Sequence, residues 1–309
     1  MNTPSTIQTQ VVHAALQSAK TAEEAMSIAG LNWTVEQSEL ITTNGLPVPQ
    51  RKALYRSDNQ AVIGVVGLKY TPLQNHEAFA FADTLVERYG ATYEHAYCLN
   101  GGANILLQMK INGGFDVRPG DHVDKYINLS NHHDGGGSVL AFSGTLRAWC
   151  ANQFRLMWAG RKDEIRIQHK GTTLAERFSE AVKVFNMSQD TFVAFQEKCQ
   201  YLAQKQLDRA MVERFLDTVV GKPIEIQEID GVSRKVRRPK VGAKRVDITN
   251  LFENGKGNGQ GSAWDLFNGT TEYIDHYTNR NDEDRRYSSV LLGHGADVKQ
   301  LAFETAMAL

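Results

Sequence analysis

The chain has 309 residues, 41% hydrophobic and 22% charged, with a formal net charge of −1. That length can bury a large core as one elaborated domain or two, and the near-zero charge gives no overall pull toward nucleic acid or membrane, so any nucleic-acid surface must be a local patch. Three widely spaced cysteines (Cys98, Cys150 and Cys199), a polar N-terminus and the lack of any apolar run near the roughly 20 residues of a membrane span point to a reduced cytoplasm.

Thr21 and Glu24 have capping-box spacing and Gly30 is a natural stop, which predicts a short helix between them. Strand-like runs follow at about 33–42, 51–57 and 61–67, separated by Asn44-Gly45 and Ser57-Asp58-Asn59. Asn75 is placed to cap a helix whose stripe (Ala78, Phe79, Ala82, Leu85, Val86, Tyr89) ends at Gly90. A hairpin around Asn100-Gly101-Gly102 and a longer one over residues 121–150 complete the first part. The expectation is an α+β fold: residues 1–160 form a mainly antiparallel curved sheet, one sheet from Trp33 to Trp149, with a packed helix. A helical C-terminal part, 161–309, follows.

In that second part, residues 173–185, 188–206 and 211–220 carry helical periodicity, read as core packing, and Gly221-Lys222-Pro223 stops them. Residues 234–245 hold a run without acidic residues: Arg234, Lys235, Arg237, Arg238, Lys240, Lys244 and Arg245. Pro239 and Gly242 argue for a flexible basic loop rather than a helix. It fits a phosphate-tracking arm or a solvated loop balanced by Glu225, Glu228 and Asp230. Residues 254–261, rich in Gly and Asn, read as mobile, and Ser262 as the cap of the last helices.

The tip of the long hairpin carries His132, His133, Asp134 and three glycines. Asp134-Gly135 has turn chemistry of its own, while a contact to phosphate or a divalent ion would be the functional use. On a strand the two histidines would face opposite sides. With Asp121-His122 they are the only catalytic material; phosphate-binding loops of the Walker type and Gly-x-Ser-x-Gly elbows are absent, and no cofactor is expected.

Several segments together carry a resemblance. Leu129-Ser130-Asn131-His132-His133-Asp134-Gly135 and Arg147-Ala148-Trp149-Cys150-Ala151-Asn152-Gln153 resemble consecutive motifs of the phage/plasmid-like family with domain of unknown function 932. Thr21–Ala25 with Ala29–Trp33, Gly64–Asn75, and Ala263–Asn268 with Thr271–His276 match its other pieces in order. The pattern is departed from by His132-His133 at the tip and by Gln153. More distantly the strand order resembles the phage single-strand annealing proteins of the Red-beta, Erf and Sak type, a likeness of fold that does not itself fix function.

Lys125, Arg147, Arg155, Arg161, Lys162, Arg166 and Lys170 recur along the long hairpin with Trp149, Phe154 and Trp158 interleaved. That set suits a groove for single strands, or scattered surface cations over core aromatics. With the basic run it leads to the functional expectation: non-catalytic binding of single-stranded DNA, with strand annealing by a homo-oligomer and no membrane association. The alternatives are a metal-dependent nucleic-acid enzyme using His132, His133 and Asp134, and a protein-binding accessory or anti-defence factor.

Overall fold

The computed structural model describes residues 12–80, 82–134, 139–147, 152–155, 165–167, 174–229 and 232–309. In chain order, strand β1 (His13–Ala15) and helix α1 (Ala22–Ile28) precede β2 (Val35–Ile41), β3 (Pro47–Arg56) and β4 (Val62–Gly67). Helices α2 (Asn75–Phe79) and α3 (Ala82–Tyr89) lead to β5 (Thr92–Leu99), β6 (Asn104–Asp116), β7 (His122–His132), β8 (Val139–Arg147), β9 (Asn152–Arg155) and β10 (Ile165–Ile167). Then come α4 (Leu174–Gln204), α5 (Arg209–Val219), the hairpin β11 (Ile224–Ile229) and β12 (Val232–Arg237), and α6 (Pro239–Asn254). Helix α7 (Ala263–Glu272), a π-helical turn over Tyr273–Tyr277, α8 (Glu283–Leu291) and α9 (His294–Ala308) end the chain. Every strand pairing is antiparallel, as expected for an α+β fold with a helical C-terminal region.

The strands do not form one sheet from Trp33 to Trp149. β2-β3-β4 make a separate three-stranded sheet, and the main sheet runs β1-β5-β6-β7-β8-β10, with β9 also on β8. The small sheet packs rather than pairs. Arg56 at the end of β3 lies 4.4 Å over the Trp33 ring and reaches the Gly101 carbonyl at 3.2 Å. β4 approaches the end of β7 so closely that a Cβ on Gly64 would sit 2.8 Å from the His133 carbonyl oxygen.

Several local expectations also shift. Thr21 caps α1 as expected, its hydroxyl accepting from Glu24 N–H, but the second helix splits into α2 and α3 and is capped by Gln74, not Asn75. The Gln74 amide exchanges hydrogen bonds with the Val35 backbone at 2.8 and 3.1 Å, so the cap also ties α2 to β2. α4 runs unbroken through Ser188, whose hydroxyl donates to the Phe185 carbonyl at 2.7 Å within the helix instead of starting a new one.

β6 and β7 are central, and both faces of β7 are covered from Tyr126 to Asn131. Val123, Ile127 and Leu129 belong to the main apolar core, which also takes Leu16 and Leu54 from before them and Phe192, Trp264 and Ala306 from the helices after. The alternate positions carry a polar ladder: Lys110 with Asp124 at 2.9 Å, Gln108 donating to Asn128 at 2.9 Å, and Ser130, His132 and Asn104 in a chain at 3.0 and 2.5 Å. Cys98 and Cys199 are buried; Cys150 lies outside the described residues. Among the described residues, no helix is long and apolar enough to cross a membrane.

Gly64→Ala tests the docking of the small sheet. The new methyl must push the backbone of His133 away, which should cost about 1–3 kcal/mol in denaturant unfolding. A variant as stable as the parent would show that this contact gives way freely.

Candidate functional site

The expected cations do not share one setting. Arg161, Lys162 and Lys170 lie outside the described residues. Arg155 pairs with Gly144 and Arg166 with Leu140, on the two short strands that share the β8 edge. Lys125 sits half-buried on β7 with its ammonium 5.4 Å from the Phe192 ring centroid and 5.9 Å from that of Phe115, and burial lowers its pKa. Its charge faces α4 rather than open solvent.

Arg147 and Arg245 are structural. Arg147 is 3% exposed and grips Asp121 through two parallel bonds of 2.6 and 2.7 Å. The same guanidinium donates to Asn258 Oδ1 at 2.9 Å and to the Gly257 carbonyl at 2.8 Å. Asp121 also accepts from the Trp264 indole N–H at 2.9 Å and lies 3.3 Å from Arg118, which bonds Asp265 at 2.5 Å and the Gly257 carbonyl at 2.6 Å. This cluster corrects the reading of 254–261 as a mobile stretch: its carbonyls and Asn258 are the acceptors that buried Arg147 and half-buried Arg118 need. Arg245 on α6 is 8% exposed, pairs with Asp217 at 2.6 Å and with Glu213, and donates to the Gly221 carbonyl. Neither arginine presents its charge to a phosphate.

The basic run is not a loop. Arg234, Lys235 and Arg237 lie on β12, which pairs with β11, and α6 begins at Pro239 with proline in the first helical turn, where its missing N–H costs nothing. Lys240 and Lys244 follow on α6; these five side chains are exposed. Arg238 pairs with Glu225 across the hairpin at 2.8 Å. The signal for the hairpin was Asp230-Gly231 between two runs rich in β-branched residues.

His132 and His133 turn to opposite faces. His132 Nδ1 donates to Asn104 Oδ1 and its Nε2 accepts from Ser130, while buried His133 donates from Nε2 to Asn75 Oδ1 at 3.0 Å. The His133 Nδ1 atom and the nearby Trp33 indole N–H have no hydrogen-bond partner among the described residues, and the rings meet edge-on at 5.6 Å. Among the described residues, no group of three or more metal-ligating side chains converges. The two imidazoles therefore diverge, His132 toward Asn104 and Ser130 and His133 toward Asn75.

Two consequences are measurable. Asp121→Ala removes the carboxylate that pairs the buried Arg147 guanidinium and should cost about 3–5 kcal/mol, whereas the double variant Asp121→Leu/Arg147→Met recovers part of that loss; equal losses would mean that the pair is not coupled. Burial pushes the His133 pKa down to about 4 from 6.5. The unfolded chain therefore takes up this proton first as pH falls. Stability is complete above pH 6.5 and drains away toward pH 4, by about 3 kcal/mol from this residue. His133→Asn should show a shallower slope over that window in urea unfolding, and an unchanged slope would reject the assignment.

No curated protein and no solved structure matches the chain. The family described as domain of unknown function DUF932 matches residues 62–291, from β4 through the last residue of α8. That span is well over half of the sequence and includes the Asp121–Arg147 cluster, the polar ladder and the basic hairpin. The chain therefore belongs to the DUF932 family.

Proposed function

We propose that this protein binds single-stranded DNA through its phosphates and promotes annealing of complementary strands, several copies of the chain sharing one strand, without nucleotide hydrolysis. The observation that carries the reading is the set of exposed cations on one hairpin–helix unit: Arg234, Lys235 and Arg237 on β12, then Lys240 and Lys244 on the first turns of α6. No acidic residue interrupts positions 232–246, and Glu225 opposite is engaged by Arg238. Such a cluster, with Lys235 and Arg237 on one face of β12 and Arg234 on the other, displaces condensed counterions without reading bases, which leaves the bases free to pair. Ile224 and Ile226, exposed on β11, add apolar surface beside the cations.

Five phosphate contacts on a single strand imply a salt slope of about −3.5, or a loss of roughly a hundredfold in affinity between about 50 and about 200 mM salt. Fluorescence anisotropy of labelled oligonucleotides should show this. Replacing Arg234, Lys235, Arg237, Lys240 and Lys244 with glutamine should weaken every sequence alike, flatten the slope and slow strand annealing, with unchanged thermal unfolding. Undetectable binding at low salt, or binding indifferent to these changes, removes the reading.

A further inference from the structure

Strands β1, β5 and β8, the π-helical turn and α8 line a cavity of about 200 Å³ that contains none of the expected nucleic-acid-binding cations. Ligand pockets for drug-sized molecules run to roughly 300–1,000 Å³; this one has room for a single ring system. Its walls are aromatic. His13 pairs with Tyr97 in the β1–β5 register, and their rings stack at 4.9 Å and 23°. Tyr287 of α8 stands 5.0 Å from Tyr97 and 5.3 Å from His13. The helix that presents Tyr287 is fixed, because Asp284 accepts from the Asn100 and Gly101 backbone N–H groups in the β5–β6 turn at 2.8 and 3.3 Å.

The polar groups complement the aromatic ones. His13 Nε2 and His95 Nδ1 lie 3.1 Å apart, so one imidazole donates to the other. Whichever way that proton sits, the neutral pair retains one ring N–H donor and one ring acceptor, the two functions that nucleobase edges also carry. Burial lowers the pKa of both histidines and keeps the pair neutral near pH 7. The π-helical turn brings Asp275 to the cavity, where buried Lys299 holds it at 2.7 Å and balances its charge. Arg286 supplies the cation: its guanidinium lies 4.7 Å over the Tyr287 ring and only 3.8 Å from Glu283, a distant partner.

We propose that this cavity binds a nucleotide, its base against Tyr287 and the His13–His95 pair, with buried Tyr97 backing them, and its phosphate at Arg286. Two sources present that chemistry: a free mononucleotide, or one unstacked nucleotide of a bound strand. The site does not use the β12 cations, so it stands or falls apart from them.

The test follows the imidazole NMR signals of the full-length protein, those of His13 and His95 being identified by their loss in His13→Gln and His95→Gln. Deoxyadenosine monophosphate should shift both signals saturably. Arg286→Gln should weaken that nucleotide about ten- to hundredfold while leaving deoxyadenosine unchanged, since only the phosphate contact is lost. Tyr287→Leu should weaken both ligands about five- to a hundredfold, with Tyr287→Phe restoring them because the stacking face returns. Equal thermal unfolding of the Phe and Leu variants separates loss of the face from loss of the fold. If oligothymidine moves the signals and loses affinity in Tyr287→Leu while free nucleotides do neither, the ligand is a nucleotide within a strand. If oligothymidine is not bound at all but the mononucleotide is, the β12 proposal fails and the cavity proposal survives. Signals unmoved by deoxyadenosine monophosphate, thymidine monophosphate and oligothymidine, together with oligonucleotide affinity unchanged in Tyr287→Leu, overturn it.

Discussion

The carboxylate of Asp121 is the point at which the sheet and the C-terminal helices are joined. It lies just before β7, yet its acceptors' lone pairs are taken by Arg147 at the end of β8, by Trp264 at the start of α7 and by Arg118 alongside. A buried charge is tolerable only when paired and fully hydrogen-bonded. Satisfying two guanidinium groups around one carboxylate requires further acceptors, and the chain provides them by folding residues 256–258 over the cluster. Asp265 closes the arrangement: it binds Arg118 and also accepts from Gln260 and Ser262 N–H. One desolvated charge thus dictates the path of a loop more than a hundred residues away.

Local chemistry was legible wherever a side chain acts on its own neighbourhood. Thr21 and Ser262 announce helix starts through short-range caps, and both cap as read. Period-two alternation and turn residues likewise marked β5 to β8 as hairpins. What alternation does not encode is which strands share a sheet. β2-β3-β4 look like the beginning of the main sheet but pack on it through the Arg56–Gly101 and Gly64–His133 contacts, which join residues distant in sequence. The β11–β12 hairpin was hidden for another reason. Its dense charge drew the eye to solvation and flexibility, while Asp230-Gly231 held the geometric signal.

The candidate site was legible in composition and not in exposure. The fourteen cations of the two sets are equivalent in the sequence, but charge alone does not distinguish a guanidinium facing solvent from one locked 26 residues away on Asp121. Arg147 and Arg245 belong to the second kind, and their partners lie on other elements. The histidine–tyrosine cavity left no motif at all. His13, His95 and Tyr287 are single residues on three separate elements, brought together by strand register and by the docking of α8.

The β11–β12 hairpin has a further property. Among the described residues it is a two-stranded sheet with no further strand on either edge, and Ile224 and Ile226 are exposed. Open edges invite a second hairpin to add on, and lysine and arginine on an edge strand are a common deterrent, since like charges must be desolvated side by side for the edges to meet. The positive cluster therefore also governs colloidal behaviour: a polyanion or high salt that masks it would lift the electrostatic barrier between hairpins of neighbouring molecules.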